Sequence, residues 1–244
     1  MASGKVAFIT GGNKGIGLET ARQLGKLGIK VVIGSRDLGN GKAAAEKLKS
    51  DGVSAEVIRF DITKPADHKE AYDYFDKHYG RLDILINNAG ISKEGFGPNQ
   101  TSATDTGLLR ETFETNFFRT VELTQTLLPL IRKSPAGRIV NLSSILGSLT
   151  LHADPKSPIY EAKAFAYDTS KTALNAFTVH LAHELRGTKI KVNSAHPGWV
   201  KTDMGTDAAP MEIPDGAKTS VRLATLPDDG SSGSYFHMDQ TLPW

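Results

Sequence analysis

Short apolar runs and longer amphipathic stretches take turns along this chain from one end to the other. The run Lys5–Thr10 is too short and too evenly apolar for an amphipathic helix, and it predicts a strand covered on both faces. Leu18–Leu27 then repeats its apolar residues at helical spacing and is closed by Gly28. The same alternation predicts strands at Lys30–Gly34, Ala55–Phe60 and Leu82–Ile86, with helices at Gly41–Lys49 and Pro65–Tyr79 between them. Pro65 suits a first helical turn, where no partner is needed for the missing N–H. Leu108–Arg132 predicts one long helix that Pro129 ends or kinks. Further on, the pattern predicts a strand at Gly137–Ser144, a helix from Phe165 to Leu185 ending around Gly187, and a strand at Lys189–Ala195. A helix from Gly216 to Leu226 and a short strand from Gly233 to Phe236 complete it. Loops are expected at Ser92–Thr106, in the first half of Leu146–Ala166 with its Asp154-Pro155 and Ser157-Pro158 steps, and at Ala208–Pro214. Strands separated by helices make this an α/β chain: a doubly wound parallel sheet in three layers, α/β/α. No repeat or linker divides residues 1–244, so a single domain is expected.

Composition removes several function classes. The net charge of +2 is spread out with no basic block, which argues against nucleic acid and against a membrane surface. The absence of cysteine excludes disulfides, thiolate catalysis and Cys-ligated metals. His180 and His183 share a helix face, but no third ligand at metal spacing accompanies them, so no metal is expected. No apolar run reaches membrane-spanning length, and strand-like sequence by Lys5 leaves no room for a signal or transit peptide. A cytoplasmic protein is the expectation.

The chemistry gathers at the ends of the predicted strands. Gly11, Gly12, Asn13, Lys14, Gly15, Ile16 and Gly17 lie between the first strand and the first helix. Glycines there let backbone N–H groups approach a pyrophosphate, and the helix N-terminus favours negative charge. The spacing is G-x-x-x-G-x-G after Thr10, not the general G-x-G-x-x-G fingerprint. The second strand ends in Ser35-Arg36-Asp37, where an adenosine ribose is met. An acid at that point binds the free hydroxyl of NAD, whereas arginine suits the 2′-phosphate of NADP. Ser35, Arg36 and Lys14 favour NADP; Asp37, one position late, is the competing signal. Asp61-Ile62 closes the third strand, and Asp61 either caps the next turn or bonds the adenine amino group. Asn88, Ala89 and Gly90 follow the fourth strand, where strand order reverses and a cleft opens. Asn116 inside a helix either faces water or has a specific task. Asn141-Leu-Ser143 matches a glycosylation triplet by accident, since it falls in a strand core. Finally, Tyr167 and Lys171 stand four apart on one helix face. An ammonium beside a phenol favours the phenolate and brings its pKa toward working pH, as a general acid or base requires.

Together these segments resemble the short-chain dehydrogenase/reductase family over essentially the whole chain. The matching residues are Thr10 to Gly17, Asp61, Asn87 to Gly90, Asn116, Asn141 to Ser144, Tyr167 with Lys171, and Pro197-Gly198. The glycine loop, Ser35-Arg36-Asp37 and His196 to Met204 look most like the NADPH-dependent carbonyl reductase branch. The resemblance implies a Rossmann fold, an NADP(H) cofactor and a small carbonyl or alcohol substrate. It implies Tyr167 as general acid for ketone reduction and base for alcohol oxidation, with Lys171 on the nicotinamide ribose. It further implies Ser144, the second of the paired serines, on the substrate oxygen, and Asn116 holding a water behind Lys171. Pro197, Gly198, Val200 and Thr202 would surround the nicotinamide, while Asn88, Ala89 and Gly90 would flank the adenosine ribose. Ser144 and Tyr167 are 23 positions apart, more than in compact members. The extra residues fall between Leu146 and Ala166, where the resembling branch carries an insertion over a dimerising surface, so a monomer is favoured and a dimer stays open. Tyr160 is a rival tyrosine, but Ala164 stands where its lysine would be. Two other functions stay open: an NAD-dependent alcohol or steroid dehydrogenase of the same fold, and a non-catalytic nucleotide-sensing protein. His196 is expected to be structural, and Trp199 and Met204 to line the substrate pocket or the core.

Overall fold

Every strand but the last runs in one direction, and the parallel strands are linked along the chain through helices that cross a face of the sheet. The computed structural model describes residues 4–95 and 99–244. Its strands are β1 (Val6–Ile9), β2 (Lys30–Ser35), β3 (Ala55–Arg59), β4 (Ile84–Asn87), β5 (Arg138–Leu142), β6 (Lys191–Ala195), β7 (Tyr235–His237) and β8 (Gln240–Thr241). They pair in the order β3-β2-β1-β4-β5-β6-β7-β8, parallel throughout except for β7 with β8. The order reverses between β1 and β4, which places a crevice at their carboxyl ends.

Alternate strand residues feed two cores. Val6, Phe8, Leu85, Ile139 and Val192 pack under α3 (Pro65–Tyr79), α5 (Arg119–Ile131) and α7 (Phe165–Glu184). Ala7, Ile9, Ile33, Ile86 and Val140 pack under α1 (Gly15–Lys26), α2 (Leu38–Ser50) and α8 (Ile213–Ala224). With both faces covered, β1, β2 and β4 lack polar alternation, and that is why they stand out as apolar runs in the sequence. A Rossmann-type, three-layer α/β/α sheet is the result.

Several boundaries differ from expectation for local reasons. The helix expected from Leu18 starts at Gly15, because the last glycines of the loop already belong to its first turn. The helix expected from Gly41 starts at Leu38, where the Asp37 carboxylate accepts a bond from Asn40 N at 2.6 Å and caps it. The helix expected as one piece over Leu108–Arg132 is α4 (Thr106–Phe113), a π-helical turn (Glu114–Phe118) and α5. Pro129 does not end α5 at its own position; the helix runs on to Ile131. Within the stretch expected to begin as a loop, a short helix, α6 (Leu149–Ala153), is capped by Ser148. Strand β8 was not expected; only two residues long, it carries no legible alternation. The loop expectation for Ser92–Thr106 includes residues 96–98, which lie outside the described residues. Among the described residues no helix is long and apolar enough to cross a membrane.

Candidate active site

The crevice begins where β1 and β4 end side by side. The Thr10 hydroxyl accepts bonds from Asn88 N (3.0 Å) and Ala89 N (2.9 Å), and Asn88 Nδ2 donates to Thr10 O (2.8 Å) and Gly11 O (3.2 Å). These four bonds stitch the two loops together. Gly11 and Gly15 have φ of 62° and 55°, left-handed values that a side chain resists. A Cβ on Gly17 would stand 2.5 Å from Asn88 Nδ2 and 2.6 Å from Gly11 O. At the start of α1, the N-cap Lys14 makes no side-chain capping bond, so the first-turn N–H groups face the crevice without a capping partner. Left-handed glycines, an uncapped helix start and space for a backbone-close ligand fit a pyrophosphate. Asn13 lies in this turn, and Ile16 packs onto the core beneath it.

The ribose end divides its charges. Ser35 Oγ donates to Asp37 O (2.6 Å), and Asp37 is occupied as the cap of α2. The adjacent acid therefore serves its own helix, while Arg36 is exposed beside Asp61. Burial pushes the Asp61 carboxyl up, but bonds from Thr63 and the charges of Arg36 and Lys64 outweigh it and hold the carboxyl below its usual range. Asp61 thus caps the turn after β3, accepting from Thr63 N (3.0 Å) and Thr63 Oγ1 (2.8 Å). The Ile62 side chain lies in the core and its carbonyl bonds His68 Nε2 at 2.8 Å. Lys14 reaches across the crevice to Asp203 Oδ2 at 2.5 Å, with both side chains exposed.

Beyond β5, the crevice narrows onto Ser144, Tyr167 and Lys171. The Ser144 side chain lies beside the Tyr167 hydroxyl and favours its ionised form. Lys171 Nζ lies 5.6 Å from the centre of the Tyr167 ring and donates to Leu142 O at 2.8 Å. A Cβ on Gly90 would come within 3.5 Å of that nitrogen and 3.3 Å of Asn116 Oδ1. Asn116 sits in the π-helical turn, a departure from regular helix that recurs at functional sites. Its amide bonds Ile91 N (2.8 Å), Ile91 O (2.9 Å) and Ser170 Oγ (3.0 Å), tying the loop after β4 to α7.

The electrostatics correct one expectation. Burial pushes the Tyr167 phenol up to about 12; the Ser144 hydroxyl opposes this and Asp168 adds to it. Burial also brings the Lys171 ammonium down to about 8. The ammonium does not dominate the phenol as sequence spacing alone suggests, because both groups lose solvent and each favours its neutral form.

The segment after β6 forms the far wall. Gly198 has a φ of 93°, and the buried Val200 packs against Gly216. Thr202 Oγ1 accepts from Gly205 N at 3.1 Å. His196 Nδ1 accepts from Ile145 N at 3.1 Å; burial, with His237 beside it, lowers its pKa to about 3, so the ring is neutral and structural. Trp199 is 53% exposed and anchored by its indole N–H to Gly205 O at 2.7 Å. His180 and His183 are exposed, and no metal-ligand group of three occurs among the described residues.

Three features here were not read from the sequence. The Glu94 carboxylate accepts from Tyr167 N at 2.9 Å, steadying the first turn of α7 from a distant loop. Asp168 is pushed up to about 7, chiefly by burial, and one of its oxygens has no hydrogen bond among the described residues. Below the crevice, Asn87, Asn141 and Ser194 are register partners on β4, β5 and β6. They connect to Thr124 and Thr178 through bonds of 2.8–3.0 Å. Asn141 is wholly buried, so the triplet there is no glycosylation site. Polar residues inside an apolar strand were the available signal for this ladder.

A Rossmann-type sheet with a phosphate-fitting glycine turn and a Ser–Tyr–Lys cluster at its switch point defines a dinucleotide-dependent oxidoreductase. The family model for short chain dehydrogenases matches residues 5–213. The chain belongs to the short-chain dehydrogenase/reductase family, and within it lies with the carbonyl reductases. It is 34% identical to carbonyl reductase (NADPH) 1 of Homo sapiens over 283 aligned positions, covering 100% of both chains. It is 33% identical to salutaridine reductase of Papaver somniferum, covering 95% of this chain and 94% of that one. The solved structure of the latter superposes with a TM-score of 0.82 at 30% identity, over 97% of this chain and 100% of that one. The NADPH-bound carbonyl reductase from chicken fatty liver superposes with a TM-score of 0.84 at 25% identity, over 98% of this chain and 99% of that one.

Proposed function

We propose that this protein reduces a ketone or aldehyde to an alcohol with NADPH. The observation that carries the proposal is the placing of the Ser144 and Tyr167 hydroxyls beside the buried Lys171, whose nitrogen lies 5.6 Å from the Tyr167 ring and donates to Leu142 O. NADPH, when bound, supplies the hydride. Its pyrophosphate fits the turn from Gly11 to Gly17, and Arg36 and Lys14 carry positive charge toward a 2′-phosphate. Asn88, Ala89 and Gly90 flank the ribose; Pro197, Gly198, Val200 and Thr202 wall the nicotinamide end. Ser144 donates to the substrate oxygen as charge develops there, and Tyr167 delivers its proton to the same oxygen. Lys171 holds the nicotinamide ribose and keeps positive charge beside the phenol. Asn116 braces Ile91 and α7, keeping Lys171 in place.

Burial keeps the Tyr167 phenol protonated at neutral pH, so the proton that reduction needs is in place. The expected kcat/KM for reduction is therefore flat near pH 6–7 and falls about tenfold per unit above about 8. The sign follows from Lys171, which is charged below about 8 and neutral above it. Profiles for the wild type and Lys171→Arg check this: the alkaline limb moves well upward in the arginine variant if Lys171 is its source, and stays in place if it is not.

Cofactor choice is checked by binding. Arg36→Ala is expected to weaken NADPH by about 10–100-fold, the worth of one charge-assisted contact, and to leave NADH unchanged. If both cofactors weaken equally, or if NADH binds the wild type better, the NAD-dependent dehydrogenase gains the ground.

A further inference from the structure

One fully buried tyrosine stands outside the catalytic cluster. Tyr235, on β7, is fully buried, and its hydroxyl donates to the main-chain carbonyl of Ser144. Nothing in the reaction described above uses it. Its ring is stacked on Trp244, with centroids 5.5 Å apart and planes 17° from parallel. Burial, with the nearby Tyr167 adding to it, pushes the phenol up, while Ser143 and Asn175 beside it pull only partly the other way. The hydroxyl is thus a permanent donor across the working pH range.

Past Ser144 the turn is tied to its neighbours, Leu146 O to His152 Nε2 (2.9 Å) and Gly147 O to Thr172 Oγ1 (3.1 Å), and Ser144 itself is held at fewer points. Ser143 N donates to Ala195 O (2.8 Å), Ile145 N to His196 Nδ1 (3.1 Å) and Gly147 N to Ser144 O (2.7 Å). The first two hold the backbone on either side of Ser144. Only the Gly147 amide and the Tyr235 hydroxyl act on the Ser144 peptide carbonyl itself, and the amide belongs to the same turn. Tyr235 is the one clamp on that carbonyl from outside the turn among the described residues. It arrives from β7, two strands beyond β5, so it references Ser144 to the rigid sheet rather than to the loop. A hydroxyl that must meet both Tyr167 and a substrate oxygen depends on this peptide's orientation, since misplacement of a catalytic group by about 1 Å can cost about 10²-fold.

We propose that Tyr235 is a positioning residue, whose hydroxyl sets the Ser144 peptide so that the Ser144 side chain stays aimed at Tyr167 and the substrate oxygen. The inference rests on the role given to Ser144 above. Tyr235→Phe keeps the ring, its volume and its stacking on Trp244, and removes only the donor; Ser144 O keeps its bond from Gly147 N. The expected result is a fall in kcat of about 10–30-fold, with the KM for NADPH within about twofold and the melting temperature within a few degrees.

The deciding measurement is the double-mutant cycle with Ser144→Ala. If Tyr235 acts through Ser144, adding Tyr235→Phe to Ser144→Ala changes kcat by less than about twofold. An equal loss in both backgrounds, or a Tyr235→Phe enzyme with wild-type kcat, overturns the proposal. If Ser144→Ala alone leaves kcat unchanged, the role of Ser144 fails instead. Circular dichroism of Tyr235→Phe tests its folding; should it not fold, Tyr235→Met, which also lacks the hydroxyl, carries the same cycle.

Discussion

Tyr167→Phe is expected to lower kcat for carbonyl reduction by about 10³-fold, with the affinity for NADPH unchanged within about twofold. The phenol is buried beside the Ser144 side chain, and burial keeps it protonated at neutral pH. Phenylalanine fills the same space on α7 and leaves Lys171 on Leu142 O. The loss therefore falls on proton delivery rather than on the site's architecture. Folding should suffer little, since one hydrogen bond is worth about 1 kcal/mol. Steady-state kinetics with NADPH titration by fluorescence checks both halves. A variant that keeps more than about a tenth of wild-type kcat would assign the proton to another group.

The second large effect is expected at Gly17→Ala, which should raise the Kd for NADPH by about 10²-fold. The added carbon would stand 2.5 Å from Asn88 Nδ2 and 2.6 Å from Gly11 O, and the second of these is backbone. Relief requires Asn88 to give up its bonds to Thr10 O and Gly11 O, or the glycine turn to move. Each bond is worth about 1 kcal/mol, and together they join the loops after β1 and β4, so the phosphate cradle opens as the protein loses stability. Calorimetry should show a lower melting temperature and a smaller upward shift on adding NADPH. Gly187→Ala is the control: nothing lies within 4 Å of a Cβ there, and no change is expected.

What was legible in the sequence follows from burial. A parallel sheet covered on both faces writes itself as apolar runs, so β1, β2 and β4 could be placed from their apolar residues alone. Fixed spacings were equally legible, such as the glycine turn and Tyr167 with Lys171, because neighbours along a helix or turn are neighbours in space. What escaped was set by contacts across the fold. The clamp on Ser144 comes from Tyr235, 91 positions away, and the brace on Tyr167 N comes from Glu94, 73 positions away. The phenol's pKa was misjudged for a related reason: spacing reports the ammonium's direction but not the burial of both groups, which wins. Asp37 is the instructive middle case. Read from the sequence as the signal competing with Arg36, it serves in the structure as the cap of α2, while Arg36 stays exposed.

Isotopic tracing of the transferred hydrogen tests the central claim most directly. NADPH deuterated on one face or the other of nicotinamide C4 is turned over with a ketone substrate, and the product alcohol is read by mass spectrometry and NMR. The expected result is deuterium on the carbinol carbon from one face only, with a hydroxyl proton drawn from solvent through Tyr167. Alcohol carrying no label from either face, or no ketone-dependent loss of NADPH across aldehydes and ketones of varied size, would contradict it.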